Sequence, residues 1–416
     1  MSSSYLESGH GRTALARAVA FVLLGSTPAG LAIAADTYVK PEVELRAENN
    51  DNFDLTPGGS ADSDIYGYIA DMRALMGFAT PRSDTSIRPR LRFQEYPDRD
   101  DMERLEAFFD LKSDYRWERS RLLVLGRYSR QDTYNTETQG GSFDPLDPTD
   151  PGLSDAGRAV VGDTRNRFDI RPNLTFDVTE RTKVGGEAMY QVVRFESDGT
   201  STQIDYDYMT AEAFVSRSLD PRSDISLAAY VTKYEATDDS TDTDGYGGEI
   251  GYVYRWSEVI GFEASLLYEQ NDQTDYVPVR VEDSTSGWGG TVIAYYKGEV
   301  SEWRASAGRT YTPTGSGGKS ESDQFRVQYD RDLTQRLAFT GAGRFESRRS
   351  LAEGGSDNDR DYARADLSLE WMITPTWYVG GGYSYIWQDR ESDDGDAYNN
   401  RVFLSFGYKG LGRQRR

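Results

Sequence analysis

The feature that most constrains this chain is a repeated strand template. Apolar and polar residues alternate for about ten positions, a short polar turn follows, and the alternation resumes. Arg167–Val178 carries it most cleanly. Phe168, Ile170, Pro172, Leu174, Phe176 and Val178 fall on one face; Arg167, Asp169, Arg171, Asn173, Thr175 and Asp177 fall on the other. Successive strand side chains point to opposite sides, so such a segment is a ribbon with one apolar and one charged face. In a soluble sheet the apolar face would line a protein core. In a membrane barrel it meets lipid, and the charged face lines a water-filled lumen.

The template recurs often enough to predict an all-β, antiparallel, up-and-down transmembrane barrel of about 18 strands, with 16 as the alternative count. The first strand is read at Tyr38–Glu48, with Val39, Pro41, Val43, Leu45 and Ala47 outward. Strands follow near 65–79, 85–96, 104–117 and 121–131. After a long loop at 132–165 they resume at 166–178, 183–195, 205–217, 224–235, 245–256, 259–270, 286–297, 301–311, 323–331, 336–347, 361–372, 376–388 and 398–408. Pro41, Pro89 and Pro172 sit inside these strands, where each removes a ladder donor; a bulge or a strand end would accommodate them.

The connections alternate between two classes. Short ones include Pro81–Asp84, Thr179–Thr182, Asp220–Ser223 and Ile373–Thr376. Longer ones are rich in Gly, Ser and Asp, as at Asp51, Asp54, Asp62 and Asp64; Asp98, Asp100 and Asp101; Asp238, Asp239, Asp242 and Asp244; and Asp393, Asp394 and Asp396. Outer-membrane barrels have short periplasmic turns and longer external loops, so the expected orientation puts the acidic loops outside and both termini in the periplasm. Interfacial tryptophans supply a second ruler. Trp117, Trp256, Trp303, Trp371 and Trp377 lie beside short turns, and Trp288 and Trp387 lie towards the opposite strand ends.

The first 34 residues read as a cleaved secretory signal. Arg12 and Arg17 precede the short apolar run Ala18–Leu24, and Ala32-Ile33-Ala34 is a small-x-small cleavage site. The barrel is then 35–408 and a basic periplasmic tail is 409–416. No other stretch approaches the roughly 20 apolar residues of a membrane-spanning helix. The chain has no cysteine and a single histidine, His10, inside the leader. Histidine-based acid–base or triad chemistry is therefore closed to the mature chain, and the sequence reads as a non-enzyme without cofactor or metal. The net charge of −22 argues against nucleic acid as a partner. Clustered carboxylates could hold calcium, but none has the spacing of a calcium loop.

The expected lumen wall is charged. Arg88, Arg90 and Arg92 share one face of the third strand. The next strand offers Glu106, Asp110 and Asp114 with Lys112 and Arg116, set roughly opposite by antiparallel pairing. Arg167, Asp169, Arg171, Lys183 and Glu187 continue the wall. Such a wall either selects a polar solute or pairs with itself and stiffens the barrel. In the 132–165 loop, Phe143, Leu146, Leu153, Val160 and Val161 among acids suggest a segment that either folds inward or lies on the surface.

Several local sequences carry a family resemblance: Asp51-Asn52-Phe53; Asp144-Pro145-Leu146-Asp147-Pro148 with Gly157-Arg158; Leu174–Thr182; Thr312–Gly317; and Ala397–Leu404. With these the chain resembles the β-barrel porin family of Gram-negative outer membranes, often met beside exopolysaccharide export systems. The resemblance implies an outer-membrane barrel and suggests polysaccharide translocation; it brings no catalytic residues. Such proteins commonly stop at a terminal aromatic, whereas Phe406 and Tyr408 here precede the basic tail. The expected partners are membrane lipid and lipopolysaccharide, the barrel-assembly machinery, and a polysaccharide or export complex. The leading functional reading is an aqueous pore or conduit for polar solutes. The alternative is a structural or surface-binding barrel whose acidic loops engage polysaccharide, cations or a partner protein.

Overall fold

A computed structural model describes residues 36–411 apart from 59–63, 98, 100–102, 139–162, 197–202, 239, 277–279, 316, 352–358 and 391–394. The expected leader, the apolar residues Phe143 to Val161 of the long loop, and most of the basic tail lie outside the described residues.

Eighteen strands follow one another in chain order. They are β1 (Asp36–Asn50), β2 (Ile65–Ala79), β3 (Ser83–Glu95), β4 (Arg104–Arg116), β5 (Ser120–Asp132), β6 (Thr164–Asp177), β7 (Thr182–Glu196), β8 (Tyr206–Asp220) and β9 (Ser223–Ala236). The series continues with β10 (Thr241–Arg255), β11 (Ile260–Asp275), β12 (Val281–Lys297), β13 (Ser301–Pro313), β14 (Lys319–Asp332), β15 (Leu337–Ser350), β16 (Arg360–Met372), β17 (Trp377–Arg390) and β18 (Ala397–Lys409). A short helix, α1 (Thr133–Thr138), follows β5. Each strand pairs antiparallel with its sequence neighbours, and β1 pairs with both β2 and β18, which closes the sheet. Closure leaves no sheet edge, the condition for crossing a bilayer with strands.

Alternation sorts the side chains as the sequence predicts. Leu45, Phe109, Phe168, Leu227, Leu266, Val292, Leu367 and Leu404 are exposed on the outer face, while their chain neighbours turn inward. The barrel therefore wears its hydrophobic surface outside, and the lumen holds the buried charges. This is a transmembrane barrel, an inside-out arrangement relative to a soluble sheet.

Several strands run longer than the periodicity implies. β10 starts at Thr241, so Asp242 and Asp244 belong to a strand rather than a loop; β12 starts at Val281 and β14 at Lys319. Apart from Val281, these extensions are polar on both faces, so hydrophobic alternation ends before pairing does. Lys409, read as the start of the tail, is the last residue of β18.

The in-strand prolines sit where a ladder is interrupted without a change of register. Between β2 and β3 the pairs run to Arg73↔Arg90 and resume at Met76↔Ile87, skipping Pro89. Between β6 and β7 they run to Ile170↔Tyr190 and resume at Asn173↔Glu187, skipping Pro172. Pro41 lies just before the first β1–β18 pair, Glu42↔Lys409. Each proline thus costs a local gap rather than a strand, and the constant register excludes a bulge at Pro89 and Pro172.

Candidate functional site: a charged lumen narrowed at one end

The barrel has an end with short turns and an end with long loops. Trp117, Trp256, Trp303, Trp371 and Trp377 gather at the short-turn end, where Trp377 stacks on Phe406 with ring centroids 5.1 Å apart. Trp288 and Trp387 lie towards the long-loop end; Trp288 packs 5.0 Å from Tyr268, and the Trp387 indole donates to Asp396 at 3.1 Å.

Most of the charged wall expected from sequence is tied into pairs. Arg88 donates to Asp110 at 3.0 Å, and Arg127 reaches the same carboxylate at 3.3 Å. Arg90 donates to Asp71 on β2 at 2.8 Å. Arg92 lies between Asp71, at 3.1 Å, and Glu106, at 3.6 Å. Asp114 takes Arg116 at 2.7 Å and Arg121 at 2.8 Å. Arg167 donates to Asp169 at 3.2 Å. Glu187 accepts from Asn173 at 2.9 Å and stands 4.0 Å from Arg171; Lys183 stands 3.9 Å from Asp177. Lys112 pairs in register with Ser86 and Leu125.

The long-loop end is filled from two sides. On one side, the chain after β1 tucks inward. Phe53 stacks on Tyr134 of α1 at 4.3 Å and meets Tyr96 edge-on at 5.1 Å. Leu55, Ile65, Tyr362 and Ile386 complete this apolar cluster. Asn52 donates to the Tyr398 carbonyl at 2.9 Å, and its own carbonyl accepts from Asn399 at 2.6 Å. Asn135 of α1 donates to Gln94 at 2.8 Å and to Glu106 at 2.7 Å, so the start of the long loop turns into the barrel. Arg104 pairs with Asp132 just before α1. Tyr96 donates to Glu48 at 3.0 Å; burial and that carboxylate raise its ionisation above the ordinary phenol range.

On the other side, the tip of the β13–β14 hairpin reaches to β8, β9 and β11. The Thr314 carbonyl accepts from the Tyr234 hydroxyl at 3.2 Å, and the Gly315 carbonyl accepts from the Ile204 amide at 2.7 Å. Lys319 ends on Thr232 at 2.6 Å, Glu269 at 2.8 Å and Asn271 at 2.8 Å. Tyr206, Tyr208, Tyr234 and Val193 form the buried patch beside this contact.

Between the two fillings lies an arginine cluster that the sequence reading did not single out. Glu346 is fully buried; it pairs with Arg344 and accepts from Arg348 at 3.0 Å. Arg360 on β16 stands across from Arg348, and Arg326 on β14 stands across from Arg344. Four guanidinium groups on β14, β15 and β16 thus gather around Glu346. Arg344 and Arg360 both stand over the Tyr362 ring, at 5.7 and 5.2 Å. Tyr206 on β8 lies in the field of Arg165 and Arg167 on β6 and of Arg348 on β15. Strands far apart around the barrel therefore converge on one level. The opposite arc is acidic: Glu187 and Glu212 stand directly across from each other on β7 and β8, and Glu249 lies two strands on. The sequence signal for the cluster was available: Arg344, Glu346 and Arg348 recur at every second position, the spacing of one strand face.

The short-turn end also carries charged residues around a recess. A cleft of about 480 Å³ there is lined by Arg181, Lys183, Asp220, Asp224 and Arg255 among others.

No protein-family model matches the chain, and no curated protein matches it. Solved structures do. The chain is similar to OpdO of Pseudomonas aeruginosa, with 12% identity, a TM-score of 0.43, and coverage of 90% of this chain and 97% of that one. It is similar to OccAB3 of Acinetobacter baumannii, with 10% identity, a TM-score of 0.45, and coverage of 90% and 99%. It is also similar to P. aeruginosa OccK2 (OpdF), solved in complex with glucuronate, with 11% identity, a TM-score of 0.43, and coverage of 90% and 98%.

Proposed function

We propose that this protein is an outer-membrane channel for small polar solutes, with a preference for anions set by the arginine cluster. The observation that carries the reading is the concentration of guanidinium groups on the lumen face of β14, β15 and β16, between the two inward fillings. Arg344 and Arg348 pair with Glu346, Arg326 stands across from Arg344, and Arg360 stands across from Arg348. These guanidinium groups are buried, so they act on a crossing solute through their field rather than by direct contact, and that field favours carboxylate or phosphate groups. The acidic arc of Glu187, Glu212 and Glu249 supplies the other side of a transverse field, which orients a dipolar solute as it passes.

We place the long-loop end outside and both termini in the periplasm, with lipid and lipopolysaccharide against the apolar band. The two inward fillings suit small solutes better than a polysaccharide chain, so we do not assign polymer export.

The test is single-channel recording in planar bilayers under a potassium chloride gradient. Stepwise conductance is expected, with a reversal potential on the anion-selective side. The double variant Arg326→Gln with Arg360→Gln should move that potential towards the non-selective value while the protein still inserts. Absence of steps, or cation selectivity in the unmodified protein, would overturn the reading.

A further inference from the structure

The ladder between β12 and β13 is incomplete. It runs from Lys297↔Glu302 to Gly290↔Arg309 and stops there. Above that level β12 continues to Val281 paired with β11 alone, and β13 continues to Pro313 paired with β14 alone. The barrel wall therefore carries a seam towards the long-loop end. Its described bridge is the Tyr311 hydroxyl, which donates to the Trp288 carbonyl at 3.4 Å. The seam starts at Gly290, whose φ of +152° disfavours any residue with a side chain; a Cβ there would stand 2.3 Å from the Ser265 carbonyl oxygen.

Strand parity shows what the seam has released. On β14, Phe325 and Val327 point outward at 49% and 37% exposure. Lys319 shares their parity, so in a regular barrel it would also point outward. It is instead 2% exposed, with its ammonium on inward-facing groups of β9 and β11 and 5.7 Å from the Tyr208 ring. The hairpin arms Arg309–Pro313 and Lys319–Asp323 have tilted into the lumen, laying the hairpin's outer face against the inner wall. β14 stays paired with β15 up to Ser320↔Ser350, so that side serves as the hinge. The inward position fits closely at Gly245, where a Cβ would lie 2.2 Å from Thr232 Oγ1 and 2.9 Å from Lys319 Nζ.

We infer that the β13–β14 hairpin tip is a movable gate with two seats: docked in the lumen through Lys319, or zipped along the free edge of β12. Continuing the Gly290↔Arg309 register places Trp288 opposite Tyr311 and Ser286 opposite Pro313. In the zipped seat the hairpin regains ladder bonds, Lys319 turns outward, and the lumen widens. In the docked seat one buried ammonium satisfies Glu269, Thr232 and Asn271 together. The two seats exchange comparable sets of interactions, which is the condition for a switch between discrete arrangements.

This inference rests on the channel reading, and the test separates the two. The chain has no cysteine, so the variant Ser286→Cys with Pro313→Cys would carry the only thiols. If the hairpin zips, oxidation cross-links this pair, and single-channel conductance rises until a reductant reverses it. Lys319→Met removes the charged donor from three hydrogen bonds and should favour the zipped seat by about tenfold or more, raising cross-link yield and the share of large conductance steps. No cross-link in either background, or a cross-link that leaves the conductance of a conducting channel unchanged, overturns the gate. If Lys319→Met fails to fold, the cysteine pair in the otherwise unmodified chain still decides. If no variant conducts yet the cross-link forms, the hairpin moves and the channel reading is what falls.

Discussion

Single charges in this barrel differ widely in what they contribute, and burial decides the difference. Glu346 is fully enclosed among Arg344, Arg348 and Arg360. Replacing it by Ala removes the buried carboxylate paired with Arg344 and Arg348, and breaking a buried pair from one side costs about 3–5 kcal/mol. Glu196 meets Arg130 at 2.9 Å, but the two side chains are 56% and 40% exposed. Water and salt screen such a pair, so Glu196→Gln should cost under about 1 kcal/mol. Urea unfolding of the folded barrel in lipid vesicles measures both; equal losses would show that burial does not grade these pairs. The same residues mark where sequence reading stops. The alternation that exposed Arg88, Arg90 and Arg92 also places Arg344, Glu346 and Arg348 on one lumen face. Alternation cannot say which charged faces meet across a lumen, because that depends on barrel closure and on segments that fold inward.

At the scale of elements, the strands show which rules bind a closed sheet. Ile170 is paired on both sides, to Gly126 and to Tyr190, whereas Pro172 faces a gap on its β7 side. Pro172→Ala is expected to leave stability nearly unchanged, because the position already does without its ladder bond. Ile170→Pro removes a bond the ladder uses and should cost about 3 kcal/mol or more, a proline penalty known best from helices but with the same cause. The shift from fast to slow migration on heating in a denaturing gel reads both: Pro172→Ala keeps the parent's transition temperature, and Ile170→Pro lowers it. A parent-like Ile170→Pro would mean that a ladder gap costs little anywhere in this barrel. The strands themselves were legible in the sequence within a few residues at most ends, because a lipid-facing side chain every second position leaves a periodic trace. The extensions of β10, β12 and β14 were not, since polar residues fill both of their faces apart from Val281. The inward tilt of the β13–β14 tip was also hidden, because Lys319 keeps outward parity while its backbone has turned.

For the whole molecule, the question is how an acidic protein can favour anions. The chain carries a net charge of −22, yet four arginines gather around Glu346 on the lumen face of β14, β15 and β16. Position resolves the conflict. Acidic groups at the mouth act on an approaching ion through open electrolyte, across distances comparable to the screening length. That length is about 10 Å at 0.1 M salt and about 3 Å at 1 M. An ion passing the buried Arg326 and Arg360 feels their charge through protein rather than open electrolyte, where screening takes away far less. Raising salt should therefore silence the mouth before the arginine cluster. The anion-to-cation permeability ratio is expected to rise between 0.1 and about 1 M potassium chloride at a fixed gradient ratio, and the Arg326→Gln, Arg360→Gln variant should lose most of that rise. A ratio that falls steadily with salt in the unmodified channel would place selectivity in exposed charges at the mouth instead, and the arginine cluster would then be a structural knot rather than a filter.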